Sequence, residues 1–197
     1  MTKVLLEMSM SLDGCVTGPD VGPEEPMGRG GERLHSWMFE GRSDAEIEAF
    51  QTGHFEGIGA VIVGRRMADL GIVHWGDEPA FHCPVFVVTT RQAETIEKAG
   101  GTSYTFVTGG IDEALGSAHE AAGADDVLVG GGAEIARQYL RAGAIDELRL
   151  HLVPLLLGAG GRLFDGSLPT IDLRPIEVTD TPSVTHLTYA VERSPAG

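Results

Sequence analysis

Cysteine is almost missing from this 197-residue sequence: Cys15 and Cys83 are the only two. They cannot build a disulfide framework, so a reducing cytoplasm is the expected setting. Cations are scarce as well, with 14 Lys and Arg against 29 Asp and Glu and a formal net charge of −15. A field of that sign repels nucleic acid and anionic membrane surfaces, which argues against polyanion partners and makes the position of each arginine informative. No stretch comes near the ~20 apolar residues that a membrane span needs. The opening "MTKVLLEMSMSLDG" carries one lysine, and Glu7 and Asp13 interrupt its apolar run. It reads as a first strand and not as a signal peptide. Familiar metal and nucleophile motifs are also lacking. "AHEAA" (118–122) has no second histidine four residues on, His82 and Cys83 would point to opposite faces of a strand, and no Gly-x-Ser-x-Gly elbow occurs. No metal site is expected.

Apolar runs bounded by turn residues are present instead. Residues 3–11, 60–64, 84–90, 104–108 and 126–130 read as strands, several of them continuously apolar as central strands are. Helical patterns fall at 44–54, around 94–99, at 112–122 and at 134–142, the last with Ala136, Tyr139 and Leu140 on one face and Gly143 as its stop. After Gly143 the alternation ends. "DELRLHLVPLLLG" (146–158) puts Leu148, Leu150 and Leu152 on one face and Arg149 and His151 on the other, and two further strands follow without a helix between them. The expected fold is a single α/β domain over residues 1–197, its sheet mostly parallel and flanked by helices, finished by a C-terminal antiparallel hairpin. The apolar 146–157 strand also points to a homodimer. Residues 17–37 break the rhythm: they are dense in Gly and Pro and fit neither period, which marks either a functional loop or a surface excursion.

Three strand ends carry phosphate-sized chemistry. Gly130, Gly131 and Gly132 lie between a strand and a helix start, where backbone can approach an anion and free N–H groups attract it. The dinucleotide fingerprint is not met, since Ile135 stands where its third glycine belongs, and a plain tight corner is the competing reading. Gly64, Arg65 and Arg66 follow a second strand, and Thr89, Thr90 and Arg91 a third. Arginine forks and hydroxyls suit a phosphate. A solvated helix start and an N-cap are the plainer alternatives. Trp75 could stack on a flat substrate ring or anchor packing, and Asp13 could orient a substrate or simply begin a turn.

The motifs "MSLDG" (10–14), "VGRRM" (63–67), "PVFVVTT" (84–90), "VGGGAEIARQYL" (129–140) and "DELRLHLVPLLLGAGGRLF" (146–164) occur in order along nearly the whole chain. In them the sequence resembles the dihydrofolate reductase superfamily, in the branch related to the reductase domain of the bifunctional riboflavin-biosynthesis deaminase–reductase. The resemblance implies an NADPH-dependent reductase acting on a small heterocyclic metabolite, such as 5-amino-6-(5-phosphoribosylamino)uracil or a pterin. The alternative is a nucleotide- or flavin-binding protein of the same fold without turnover. By motif, Gly64 and Arg65 would approach the adenosine ribose and its 2′-phosphate, with Thr89 and Thr90 adding hydroxyls and Arg66 and Arg91 adding cations. Gly130, Gly131, Gly132, Ala133 and Glu134 would hold the pyrophosphate. Ser9, Val16 and Thr17 would border the nicotinamide, and 17–37 would be the mobile active-site loop. The carboxylate that holds the pterin in true dihydrofolate reductases has no single counterpart among Asp44, Glu46 and Glu48. The deaminase half is not expected, because Pro-Cys-x-x-Cys does not occur and the zinc site of that chemistry cannot be built without it.

Overall fold

The computed structural model describes residues 2–39 and 54–192. Strand β1 (Val4–Ser11) is followed by β2 (Ile58–Gly64), helix α1 (Arg65–His74), β3 (Pro84–Val88), β4 (Ile96–Glu97) and β5 (Ser103–Val107). Then come α2 (Ile111–Ala122), β6 (Asp126–Gly131), α3 (Ala133–Arg141), β7 (Glu147–Val153), β8 (Leu173–Asp180) and β9 (Thr185–Val191). Among the described residues these strands make one sheet, in the order β4-β5-β3-β2-β6-β1-β7-β9-β8. From β5 to β7 all neighbours are parallel. The β7–β9 and β8–β9 pairs are antiparallel, as the helix-free tail required.

The parallel strands are continuously apolar because both faces are covered. Side chains alternate across the sheet, so β1 sends Val4, Leu6 and Met10 into the core shared with α2 and α3, and Leu5 into the core on the opposite face. In α3 the buried residues are Ile135, Ala136, Tyr139 and Leu140, and Gly143 takes a φ of 65° just past its end. The Tyr139 hydroxyl donates to Ile111 O at 2.8 Å and so ties α3 to the start of α2. A smaller cluster, Leu34, Trp37, Val153 and Val184, lies beneath the end of the 17–37 segment.

Two sequence expectations change. The stretch expected to be helical around Glu94–Ala99 holds a short strand instead: Ile96 pairs antiparallel with Tyr104, and a 3-10 turn at Ala99–Gly101 follows. Six residues ahead of two glycines close too few i→i+4 bonds to sustain a helix, whereas the sheet edge offers partners at once. Conversely α1 had not been read as a helix beyond its paired arginines; its interior glycine, Gly71, weakens the pattern. The helix expected at 44–54, with Asp44, Glu46 and Glu48, lies outside the described residues except for His54.

One detail of register positions everything that follows. The ladder between β1 and β6 ends at Leu6–Val129, whereas β1 stays paired with β7 as far as Ser11–Val153. Beyond Leu6, β1 and β6 have no ladder in common. In open α/β sheets ligands enter outside the carboxyl ends of the strands.

Candidate active site

The carboxyl ends of four strands stand side by side. Val88 is level with Gly64 on one side and Val107 on the other, and Val63 is level with Gly131. Directly beyond them lie Thr89–Arg91, Arg65–Arg66 and Gly132–Ala133. Three separated motifs of the sequence therefore share one rim. Gly64 and Gly132 are the N-caps of α1 and α3, and neither helix has a side-chain cap. Their first-turn N–H groups are left to whatever binds at the rim, at the positive end of each helix dipole. Glycine is needed here for space. A Cβ on Gly64 would sit 2.8 Å from Ile135 Cγ1, and one on Gly131 would meet the sulfurs of Met8 and Met67 at 3.2 and 3.3 Å. Gly131 also has a φ of 123°, and the Gly131–Gly132 peptide is cis.

The cations are organised by a carboxylate that the sequence reading did not single out. Asp69, one helical turn after Arg65, receives Arg65 Nε at 2.6 Å and Arg91 Nη2 at 3.4 Å. The Arg65 guanidinium also lies over the Phe106 ring, 5.0 Å from its centroid. Thr89 accepts the Arg91 N–H at 3.0 Å, which is the capping role, while Thr90 is exposed beside it. Arg66 leaves the group: its Nη2 donates to Val21 O at 3.0 Å, which fastens the 17–37 segment to the start of α1. The i,i+4 spacing of Arg65 and Asp69 was the available signal for Asp69.

At the other end of the rim, Ser9 is buried and accepts the Trp37 indole N–H at 3.2 Å. Val16 is buried, its N–H on Gly161 O at 2.8 Å, and the Thr17 hydroxyl accepts the Gly161 N–H at 3.1 Å. The segment from Thr17 to Trp37 has a fold of its own. Gly18 N–H donates to Met27 O and Arg29 N–H to Pro19 O, both at 2.8 Å, Arg29 pairs with Asp20, and two 3-10 turns (Gly31–Leu34 and Ser36–Met38) close it. Its Trp37 end covers Ser9.

Two candidates take other roles. Asp13 is a strut: its carboxylate accepts from Ser11 Oγ at 2.6 Å, Leu157 N at 3.1 Å and Gly158 N at 2.8 Å. The Ser11 hydroxyl, then these two amides, hold its pKa down to about 2, so it carries no proton to give at neutral pH. Trp75 is a packing anchor. It caps the end of α1, away from the rim, stacks on Tyr104 at 6.0 Å and 12°, and meets Phe81 edge-on. Gly71 gives the indole room, since a Cβ there would collide with it.

A polar patch fills the sheet face next to Ser9. Glu7 Oε1 lies 2.7 Å from His151 Nε2 and 3.5 Å from His54 Nε2, with Arg149 Nη1 3.8 Å from Oε2. His151 Nδ1 meets His186 Nδ1 at 2.8 Å. Burial opposes the charge of Glu7, yet the His151 hydrogen bond and the three nearby cationic or imidazole groups hold its pKa below the usual value. Burial, with His151 adding to it, pushes His35 down to about 4, which keeps that ring neutral. None of these residues except Ser9 had been singled out as a site residue. The signal available was period-two: Glu7 and Ser9 alternate with Met8 and Met10 in an otherwise apolar strand. Among the described residues no cluster is arranged to hold a metal, and no helix is long and apolar enough to cross a membrane.

The profile of the RibD C-terminal domain matches residues 2–187. The chain belongs to the RibD C-terminal domain family. Solved structures share its fold at low identity. A Shewanella sp. PV-4 protein assigned to riboflavin biosynthesis superposes with a TM-score of 0.74 at 22% identity, covering 98% of this chain and all (100%) of that one. The riboflavin biosynthesis reductase of Saccharomyces cerevisiae gives 0.52 at 17%, over 98% of this chain and 89% of that one. The Thermotoga maritima deaminase/5-amino-6-(5-phosphoribosylamino)uracil reductase gives 0.58 at 14%, with 96% of this chain on 56% of that one. No curated protein matches the sequence. Within the RibD C-terminal domain family, then, this chain has a matching architecture and a site whose polar patch must be read from its own residues.

Proposed function

We propose that the protein is an NADPH-dependent reductase of a small heterocyclic metabolite, with 5-amino-6-(5-phosphoribosylamino)uracil and pterins as the first substrates to test. The observation that carries this reading is the shared rim: the end of the β1–β6 ladder after Leu6, with glycines and an uncapped helix start at the end of β6, Arg65 one strand further on and Arg91 two. From β3 to β1 the rim spans three strand spacings, about 14 Å, which suits an extended dinucleotide. The residues fit the coenzyme. Gly130, Gly131 and Gly132 with the N–H groups of Ala133 and Glu134 would take the pyrophosphate. Gly64, Arg65, Arg91, Thr89 and Thr90 would take the adenosine ribose and its 2′-phosphate. Ser9, Val16 and Thr17 would border the nicotinamide.

The coenzyme, when bound, supplies the hydride; the chain supplies alignment and dryness. Trp37 and the 17–37 segment cover the Ser9 end and exclude water there. The two guanidinium groups are already held in place, so a phosphate meets a formed site and need only exchange with the Asp69 carboxylate. Titration calorimetry with NADPH and NADH tests the rim, and NADPH consumption against pterins and pyrimidine ribosides tests turnover. Binding without consumption would favour a nucleotide-binding protein that has no catalytic activity. Absence of dinucleotide affinity would remove the proposal.

A further inference from the structure

Among the described residues, every Lys and Arg side chain but one is engaged. Carboxylates hold most of them and backbone carbonyls or a hydroxyl hold the rest. Arg33 alone makes no hydrogen bond or ion pair. In a chain of net charge −15, a guanidinium that no carboxylate has claimed stands apart. Its place is specific. Arg33 lines a cavity of about 280 Å³ with Ser36, Trp37, residues 153–155 at the end of β7, and Pro182 and Ser183 in the β8–β9 turn. No acidic residue is part of that lining, and the Ser36 hydroxyl also has no hydrogen-bond partner among the described residues. The volume lies just under the ~300–1,000 Å³ of complete small-molecule sites, so it suits one part of a ligand. The cavity adjoins the Ser9 end of the rim. Trp37 is one of its walls, and the same indole donates its N–H to Ser9 at 3.2 Å. Val153 is level with Ser11, two residues and about 7 Å of strand beyond Ser9.

We propose that this cavity is the subsite for a phosphate group carried by the substrate, with Arg33 as the specificity-determining residue and the Ser36 hydroxyl as a second donor. A guanidinium fork beside a hydroxyl, with no acid in the wall, is donor chemistry for a phosphate. The proposal rests on the reductase reading and narrows it. A heterocycle beside Ser9 reaches the cavity through one pentose, so a phosphorylated pyrimidine riboside satisfies Arg33, whereas a pterin without an anionic substituent leaves it unpaired.

Two measurements test it on the full chain. With NADPH saturating, so that the phosphate positions of the rim are filled, ribose 5-phosphate should shift the Trp37 indole N–H resonance and ribose should not. The Trp75 indole, packed away from the rim, is the internal control. Arg33 is exposed, so Arg33→Gln should fold, and it should abolish the shift. No shift with ribose 5-phosphate, an equal shift with ribose, or one retained in Arg33→Gln overturns the subsite. In turnover with NADPH, 5-amino-6-(5-phosphoribosylamino)uracil should exceed its dephosphorylated riboside in kcat/KM by about 30-fold, mainly through KM, and Arg33→Gln should remove most of that preference. Equal use of the two, or a preference that survives Arg33→Gln, overturns the proposal. If NADPH does not bind, or neither riboside is reduced, the reductase reading fails, and the indole shift, measured without coenzyme where none binds, still decides whether the cavity takes a phosphate.

Discussion

The two faces of β1 are built on opposite principles. Val4, Leu6 and Met10 enter an apolar core closed by α2 and α3, while Glu7, Ser9 and Ser11 on the other face meet hydrogen-bonding partners throughout. On the first face, stability comes from area removed from water and is insensitive to pH. On the second it depends on each charge keeping its partner. A strand that serves both can hold a stable sheet and a polar site one residue apart.

Substitutions at adjacent positions should expose that contrast. Leu6→Ala should cost about 3 kcal/mol in denaturant unfolding, nearly the same at pH 7 and pH 4. Glu7→Ala should cost roughly as much at pH 7, because it takes the buried acceptor away from His151, while Arg149 keeps Glu147 at 2.8 Å. Its loss should depend on pH. Glu7 has a folded-state pKa below the ordinary 4.5, so its contribution is present above that value and fades as pH falls through the lower one. Glu7→Gln and wild type should therefore converge in acid, whereas Leu6→Ala should stay displaced.

His35 sharpens the same comparison. Half-buried and neutral, it titrates at about 4 in the fold against 6.5 unfolded. Between those values the unfolded chain binds the extra proton, so wild-type stability should fall from pH 6.5 toward pH 4, by about 2 kcal/mol from this residue. His35→Gln should flatten that slope. An unchanged slope would move the acid sensitivity to other groups.

At the rim the test concerns selectivity rather than stability. Arg65→Ala should weaken NADPH more than NADH by roughly 1–3 kcal/mol, because only the former offers a 2′-phosphate for charge-assisted bonds. Asp69→Asn should act in the opposite direction by about 1 kcal/mol, since both guanidinium groups lose an internal competitor. Equal effects on the two coenzymes would detach the arginine pair from the 2′-phosphate.

Much of this was legible in the sequence for a physical reason. Strands covered on both faces must be continuously apolar, and backbone that approaches an anion must be glycine, so β2, β3, β6 and the rim announce themselves locally. The polar patch does not. Glu7, His151 and His186 lie on three strands, and only the β1–β7–β9 register brings them together. Arg149 and His151 looked like the outward face of a half-covered strand, yet His151 is 9% exposed, because the 17–37 segment returns to place Trp37 over it. Asp69 was missed with its helix, whose interior glycine serves Trp75. The extended β4 was missed because its partner lies after the turn.

The smallest expected effect concerns Asp13, whose neighbourhood looks catalytic and behaves as scaffold. Its carboxylate accepts the amides of Leu157 and Gly158, while the nearby Gly161 amide is held by Thr17 instead. Asp13→Ala should therefore speed amide hydrogen exchange at Leu157 and Gly158 and leave Gly161 unchanged. Because the Asp13 pKa is about 2, the wild-type protection should persist without a pH-dependent step across pH 4–8, after correction for intrinsic exchange rates. Acceleration spread over all three amides would mean that Asp13 holds the whole turn, and no acceleration would mean that β1 and the Cys15–Arg162 bridge hold it without help.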